Sequence, residues 1–259
     1  MDWVYTLSGL VVGFIVGVTG VGGGSLMTPL LVLFFGISPA TAVGTDLLYA
    51  SITKAGGAWV HGRRGNVNWR IVGWLALGSL PAAVVTASML AILHVDDKRL
   101  SMLISTVLGV ALILTAVAIL FRESVRRFSQ QRENTGHNLT PTQLNLVTVA
   151  TGALLGALVT ISSVGAGAIG MVALLWLYPR LPSVTLVGVD IAHAVPLTAV
   201  AGLGHFYMGT VDFALLGSLL LGSLPGIYLG SHVSGIFPER FLRPALAVML
   251  VLIGGRFVL

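Results

Sequence analysis

Long apolar stretches alternate with short polar ones along the whole chain. They run over 3–35, 40–60, 71–93 and 100–121 and, after a polar segment at 122–143, over 144–178, 184–207, 213–237 and 241–259. Within them the apolar positions show neither the period of two of membrane-barrel strands nor a polar face at the helical period. Helices apolar on every side are what lipid selects, because each backbone polar group is then satisfied within its own segment. A bilayer core about 30 Å thick takes roughly 20 such residues per helix. The pattern therefore predicts an all-α polytopic membrane protein, with about eight spanning helices plus re-entrant pieces.

The pattern also repeats. Adding 144 to a position in the first half lands on its partner in the second, without a gap, for about seventy residues. Gly44 and Asp46 map onto Gly188 and Asp190; His61, Gly65 and Val67 map onto His205, Gly209 and Val211; Gly78-Ser79-Leu80-Pro81 recurs as Gly222-Ser223-Leu224-Pro225. Internal duplication of this kind is the usual build of secondary transporters. The chain divides accordingly into a first repeat (1–121), a polar linker (122–143) and a second repeat (144–259). The first stretch of each repeat exceeds thirty residues and is broken midway, at Thr19-Gly-Val-Gly-Gly-Gly-Ser25 and at Ser163-Val-Gly-Ala-Gly-Ala168. Clustered glycines unwind a helix, and non-helical backbone at membrane depth survives only when buried in protein or facing a wet cavity. The plainer alternative is a small-residue surface for tight helix packing.

Charge adds a topology. Of 259 residues, 56% are hydrophobic and only 9% charged, with a mean hydropathy of +0.97, too few ionisable groups to cover a soluble fold. The net charge of +5 comes mostly from two short polar segments, which points to anionic lipid headgroups rather than nucleic acid. The opening residues lack a basic region and a small-residue cleavage site, so they read as a first membrane helix. If each broken stretch crosses once, the repeats lie parallel. Lys and Arg then split eight (Arg63, Arg64, Arg70, Arg122, Arg126, Arg127, Arg132, Arg256) against five (Lys98, Arg99, Arg180, Arg240, Arg243). If each turns back at its glycines, the repeats are inverted: Arg180, Arg240 and Arg243 join the first group, Arg256 leaves it, and the split is ten against three, with Lys54 outside both counts. The positive-inside rule prefers inversion, with a cytoplasmic linker. The expected location is the inner cell membrane, multi-pass.

Four ionisable side chains lie in otherwise apolar helices: Asp46, Lys54, Asp190 and His193. Each costs about 2.5–3.5 kcal/mol at a helix centre on insertion scales, so a functional reading is the default; polar glue between helices is the alternative. Asp46, Tyr49 and Thr53 share one helical face with Lys54 beside it, and Asp190 and His193 share another. His61 and His205 match as repeat partners and fall at helix ends, as interfacial or gating groups. Zero cysteines exclude thiolate chemistry, and the histidines show no metal-ligand spacing, so neither a metal nor another cofactor is expected. The glycines at 20–24 precede no Gly-Lys-Ser/Thr, which argues against nucleotide-driven transport. No catalytic array is readable, so an enzyme is not expected.

The motifs Gly20-Val-Gly-Gly-Gly-Ser-Leu-Met-Thr-Pro29, Ala42-Val-Gly-Thr45, His61 through Gly65-Asn-Val-Asn-Trp69 and Gly78-Ser-Leu-Pro81 resemble the sulfite exporter TauE/SafE family. The resemblance covers both repeats and implies a permease exporting sulfite, sulfonates or related sulfur-containing organic anions. This chain departs from the commoner Gly-Thr-Ser arrangement with Gly44-Thr45-Asp46 and Gly188-Val189-Asp190. Unwound glycine segments and half-helix N-termini favour an anion, which places Gly22, Gly23, Gly24, Ser25, Thr45, Lys54, Gly165, Gly167 and His193 as substrate-binding candidates. Asp46 and Asp190 would repel an anion unless protonated, which fits a proton-coupling role. The expected partners are a small anionic substrate and membrane lipids. An anion channel and a membrane-embedded scaffold or enzyme remain as alternatives.

Overall fold

The computed structural model describes residues 3–19, 24–92, 97–134, 139–233 and 239–258. Among these the chain is helical with no strand: α1 (Trp3–Thr19), α2 (Gly24–Leu33), α3 (Pro39–Arg63), α4 (Trp69–Ile92), α5 (Asp97–Asn134), α6 (Pro141–Ser162), α7 (Ala168–Leu177), α8 (Ser183–Tyr207), α9 (Phe213–Val233) and α10 (Glu239–Val258). Five of them, α4, α5, α6, α8 and α9, are long and apolar enough to cross a bilayer. Local sequence sets several starts. Ser38 accepts from the Thr41 amide ahead of Pro39, and Thr140 forms a capping box with Gln143 ahead of Pro141, with proline at the first helical position, where its missing N–H costs nothing. The polar segment begins as helix, because α5 runs on past Phe121 to Asn134. Ser129, on that extension, is buried and donates to the Trp176 carbonyl at 2.7 Å, which ties α5 to the end of α7.

Both broken stretches double back. Tyr5 early in α1 meets Phe35 just past α2 edge-on, with ring centroids 5.0 Å apart. Thr148 early in α6 meets the hydroxyl of Tyr178 just past α7 at 2.7 Å. The short α2 and α7 thus return toward the level at which α1 and α6 began.

Packing is reciprocal between the halves. α1 lies on α9 and α6 on α4, while α3 lies on α8 and α5 on α10. Glycines bring the backbones together: Gly9 and Gly13 of α1 abut Leu219 and Ser223 of α9, and Gly152 and Gly156 of α6 abut Leu75 and Ser79 of α4. Both registers rise together, so each of these pairs runs parallel. α3 and α8 run antiparallel, since Gly44 backs onto Thr210, Gly202 onto Leu48, and Gly188 onto Asn66. At their crossing Ser51 donates to the carbonyl of Val195, 144 residues away, at 3.2 Å. α5 and α10 are also antiparallel, with Gly109 against Gly254 and Val258, and Gly254 against Gly109 and Ile113. Small residues of this kind are how helices associate closely where lipid offers no hydrophobic drive.

A matched set of substitutions tests this packing. A Cβ at Gly78 or Gly222 would overlap the carbonyl of Val149 or Thr6, whereas one at Gly73 or Gly217, on the same two helices, meets nothing within 4 Å. Gly78→Ala and Gly222→Ala should each destabilise by about 1–3 kcal/mol. Gly73→Ala and Gly217→Ala should be neutral or stabilising by up to ~1 kcal/mol. Thermal midpoints in detergent read the contrast; equal effects at all four positions would contradict the register described.

Candidate functional site

The ionisable residues of α3 and α8 converge on the break between α6 and α7. That break is held open by backbone conformation: Ser163 sits in the left-handed region at φ 57°, and Gly165 and Gly167 have φ of 118° and 148°, values a side chain resists. Ser162 partly repairs the interruption, donating to Leu158 and Val164 carbonyls and accepting from the Val164 amide.

Asp46, wholly buried on α3, is the meeting point of the two halves. Its Oδ2 accepts from Thr28 Oγ1 of α2 at 2.5 Å and from Ser163 Oγ in the second break at 2.9 Å. Its Oδ1 is buried with no partner among the described residues. Lys54, two turns along the same face, donates to the carbonyl of Ala166 at 2.7 Å, between Gly165 and Gly167. Its charge acts on both Asp190 and Asp46. Asp190 on α8 stands against the first turn of α7, where a Cβ on Gly170 would lie 2.5 Å from its Oδ1. His193, one turn on and buried, pairs its Nε2 with Ser79 Oγ of α4 at 2.8 Å. The repeat partners of that pair, Tyr49 and Ser223, also face one another, and neither hydroxyl has a well-formed hydrogen bond.

Asp46, Lys54, Asp190, His193, Gly165 and Gly167 therefore belong to one neighbourhood. Ser25 is buried in the first turn of α2, which starts at Gly24; Gly22 and Gly23 lie outside the described residues. Thr45 points elsewhere, its hydroxyl accepting the Asp212 amide at 3.0 Å before α9. His205 is wholly buried, clamped by Thr210 Oγ1 and the Thr160 carbonyl at 2.9 Å each, and so ties the end of α8 to α6. His61 lies beside Gly188 with its Nδ1 buried and without a partner among the described residues. Among the described residues no group of three or more His, Asp or Glu could hold a metal ion. Sequence reasoning missed Thr28, Ser163, Ser79 and Gly170. The signal for the two hydroxyls on Asp46 is that each belongs to a motif around a glycine break.

Comparison with known proteins gives a consistent identity. Residues 5–257 match the family model described as sulfite exporter TauE/SafE. Among curated relatives, the chain is 37% identical to the probable membrane transporter protein YjnA of Bacillus subtilis, over 97% of this chain and 98% of that one. It is 31% identical to the probable membrane transporter protein YdhB of the same organism, over 93% and 96%. The probable membrane transporter protein MJ0441 of Methanocaldococcus jannaschii is 26% identical over 95% and 92%. No solved structure matches.

The closeness of α7 to Asp190 is directly testable. Gly170→Ala should cost about 1–3 kcal/mol by forcing the carboxylate away, and Asp190→Ala in the same chain should restore most of it. Thermal midpoints of the two single variants and the double variant supply the cycle; additive losses would contradict the contact.

Proposed function

The chain belongs to the sulfite exporter TauE/SafE family and is a multi-pass membrane transporter, and from that premise we propose that it is a secondary transporter exporting a small anion by alternating access between two inverted repeats. Sulfite, a sulfonate or a related sulfur-containing organic anion is the proposed substrate class, with proton coupling through Asp46 and Asp190. The observation that carries the reading is the position of Asp46. One buried carboxylate accepts hydroxyls from both broken stretches, so movement of one half against the other must remake the site. Broken helices meeting near a repeat interface are the recurring binding architecture of secondary transporters.

The antiparallel crossing of α3 and α8, with Ser51 on its own repeat partner Val195, supports inversion, since parallel copies would cross in the same sense. The return of α2 and α7 toward the starts of α1 and α6 supports reading them as the re-entrant pieces. Lys54 and the open start of α7 favour negative charge at the centre, and an anion accompanied by protons on the aspartates crosses with less net charge to desolvate.

Two experiments test this. The chain has no cysteine, so single cysteines at the repeat partners Arg64 and Met208 report topology without background. Inversion predicts labelling from opposite faces of the membrane, and labelling from one face would eliminate it. In proteoliposomes, sulfite flux should respond to an imposed pH gradient. Asp46→Asn and Asp190→Asn should each keep substrate binding but lose concentrative, pH-dependent transport. An unchanged flux–pH profile in both would sink the coupling role, and downhill flux indifferent to protons in the wild type would point to a channel.

A further inference from the structure

The first turn of α7 is left open. Gly167 caps the helix without a side-chain hydrogen bond. The amides of Gly170 and Met171 reach the carbonyls of Gly165 and Gly167, but those of Ala168 and Ile169 have no acceptor among the described residues. Lys54 is fixed beside this end by its 2.7 Å bond to the Ala166 carbonyl. Unpaired amides at a helix N-terminus with an ammonium alongside form an anion-binding arrangement.

The carboxylate of Asp190 stands next to it without bonding to it. Asp190 is 8% exposed, packs against Gly170, and accepts no hydrogen bond from any described residue. It is balanced instead by charge, from Lys54 on α3 and Arg122 on α5. Buried polar groups are as a rule hydrogen-bonded, and its repeat partner Asp46 meets that rule at Oδ2, through Thr28 and Ser163, though not at Oδ1 among the described residues. The two aspartates are therefore not interchangeable. Lys54 also has no counterpart in the other half, where Thr198 stands at its repeat position and bonds within its own helix to Ala194.

We infer that the N-terminus of α7 together with Lys54 is an anion subsite, and that Asp190 is its tethered counter-anion, the group an incoming anion replaces as the partner of Lys54. The identity of the transported anion rests on the function proposed above; the existence of the subsite does not. Flanked by its own carboxylate, the subsite stays compensated in charge when empty of substrate, and small free anions compete poorly. An anion that gains both Lys54 and the two open amides outcompetes Asp190, which gains only charge.

Chemical rescue tests this. The thermal midpoint of purified Asp190→Ala in detergent is measured in sodium formate and in sodium gluconate at equal ionic strength, gluconate being far larger than the missing carboxyl. Formate should raise the midpoint of Asp190→Ala by about 3 °C over gluconate. Wild type and Asp46→Ala should show no such difference, and Lys54→Met in the Asp190→Ala background should abolish it. Asp190→Asn, which keeps the shape and removes the charge, provides a second variant. Sulfite should stabilise it at concentrations about tenfold lower than it stabilises the wild type. Equal midpoints in the two salts, rescue that survives loss of Lys54, or the same rescue in Asp46→Ala overturns the assignment. Rescue of Asp190→Ala alongside wild-type vesicles that carry no sulfite leaves the subsite standing and removes only the transport reading.

Discussion

A helix interrupted inside an apolar bundle leaves backbone amides and carbonyls without partners, and in a membrane protein each such group is expensive unless protein supplies the missing bond. The arrangement around the α6–α7 break follows from that constraint. Ser162 bridges the interruption, and Lys54 reaches across from α3 to cover the Ala166 carbonyl. Gly165 and Gly167 take conformations closed to other residues. Once Lys54 is committed there, its charge requires compensation, and Asp190 and Asp46 lie within its electrostatic reach. The ionisable cluster is thus the consequence of an unwound segment as much as its purpose, and the same groups that make the break tolerable give it chemistry.

Duplication positions the cluster and divergence specialises it. Each half contributes a broken stretch and a long helix carrying an aspartate, and the antiparallel crossing of α3 and α8 brings both aspartates toward the centre. The copies then differ where chemistry is concerned. Among the described residues Asp46 rests on two hydroxyls and Asp190 on none. His193 bonds Ser79 where Tyr49 faces Ser223, and α5 carries a polar extension pinned by Ser129. The site is thus built from two equivalent halves but lined unequally.

Much of the fold is legible in the sequence because the physics behind it is local or periodic. All-round apolar stretches give the helices, the glycines after Ser163 give the α6–α7 break, and the constant offset of 144 anticipates which residues pair as equivalents. Asp46, Lys54, Asp190 and His193 stand out because charge in an apolar helix has few explanations. What is not legible depends on register between distant segments. Nothing near Thr28 or Ser163 says that both hydroxyls end on one carboxylate, and nothing near Gly170 says which side chain fills the space of its missing Cβ. Thr45 adjoins Asp46 in sequence yet turns to Asp212, because neighbours on a helix point about 100° apart. His205 reads as an interfacial cap until tertiary packing encloses it between Thr210 and the Thr160 carbonyl. The polar segment after Phe121 continues as helix, and Ser129 on it finds a carbonyl on α7, a contact 47 residues away that its own neighbourhood does not announce.

The central claim is that transport requires the two halves to move against each other about Asp46. Because Thr28 and Ser163 come from different halves and both bond the same carboxylate oxygen, cysteines at these two positions are a pair on which to attempt a disulfide in a chain that has no other cysteine, with its formation confirmed by mass spectrometry before flux is read. The most direct measurement is flux of an alkylsulfonate, which leaves disulfides intact, through proteoliposomes of Thr28→Cys/Ser163→Cys before oxidation, after it, and after reduction. Arrest on oxidation and recovery on reduction is the predicted result; undiminished flux through the cross-linked protein would contradict the account.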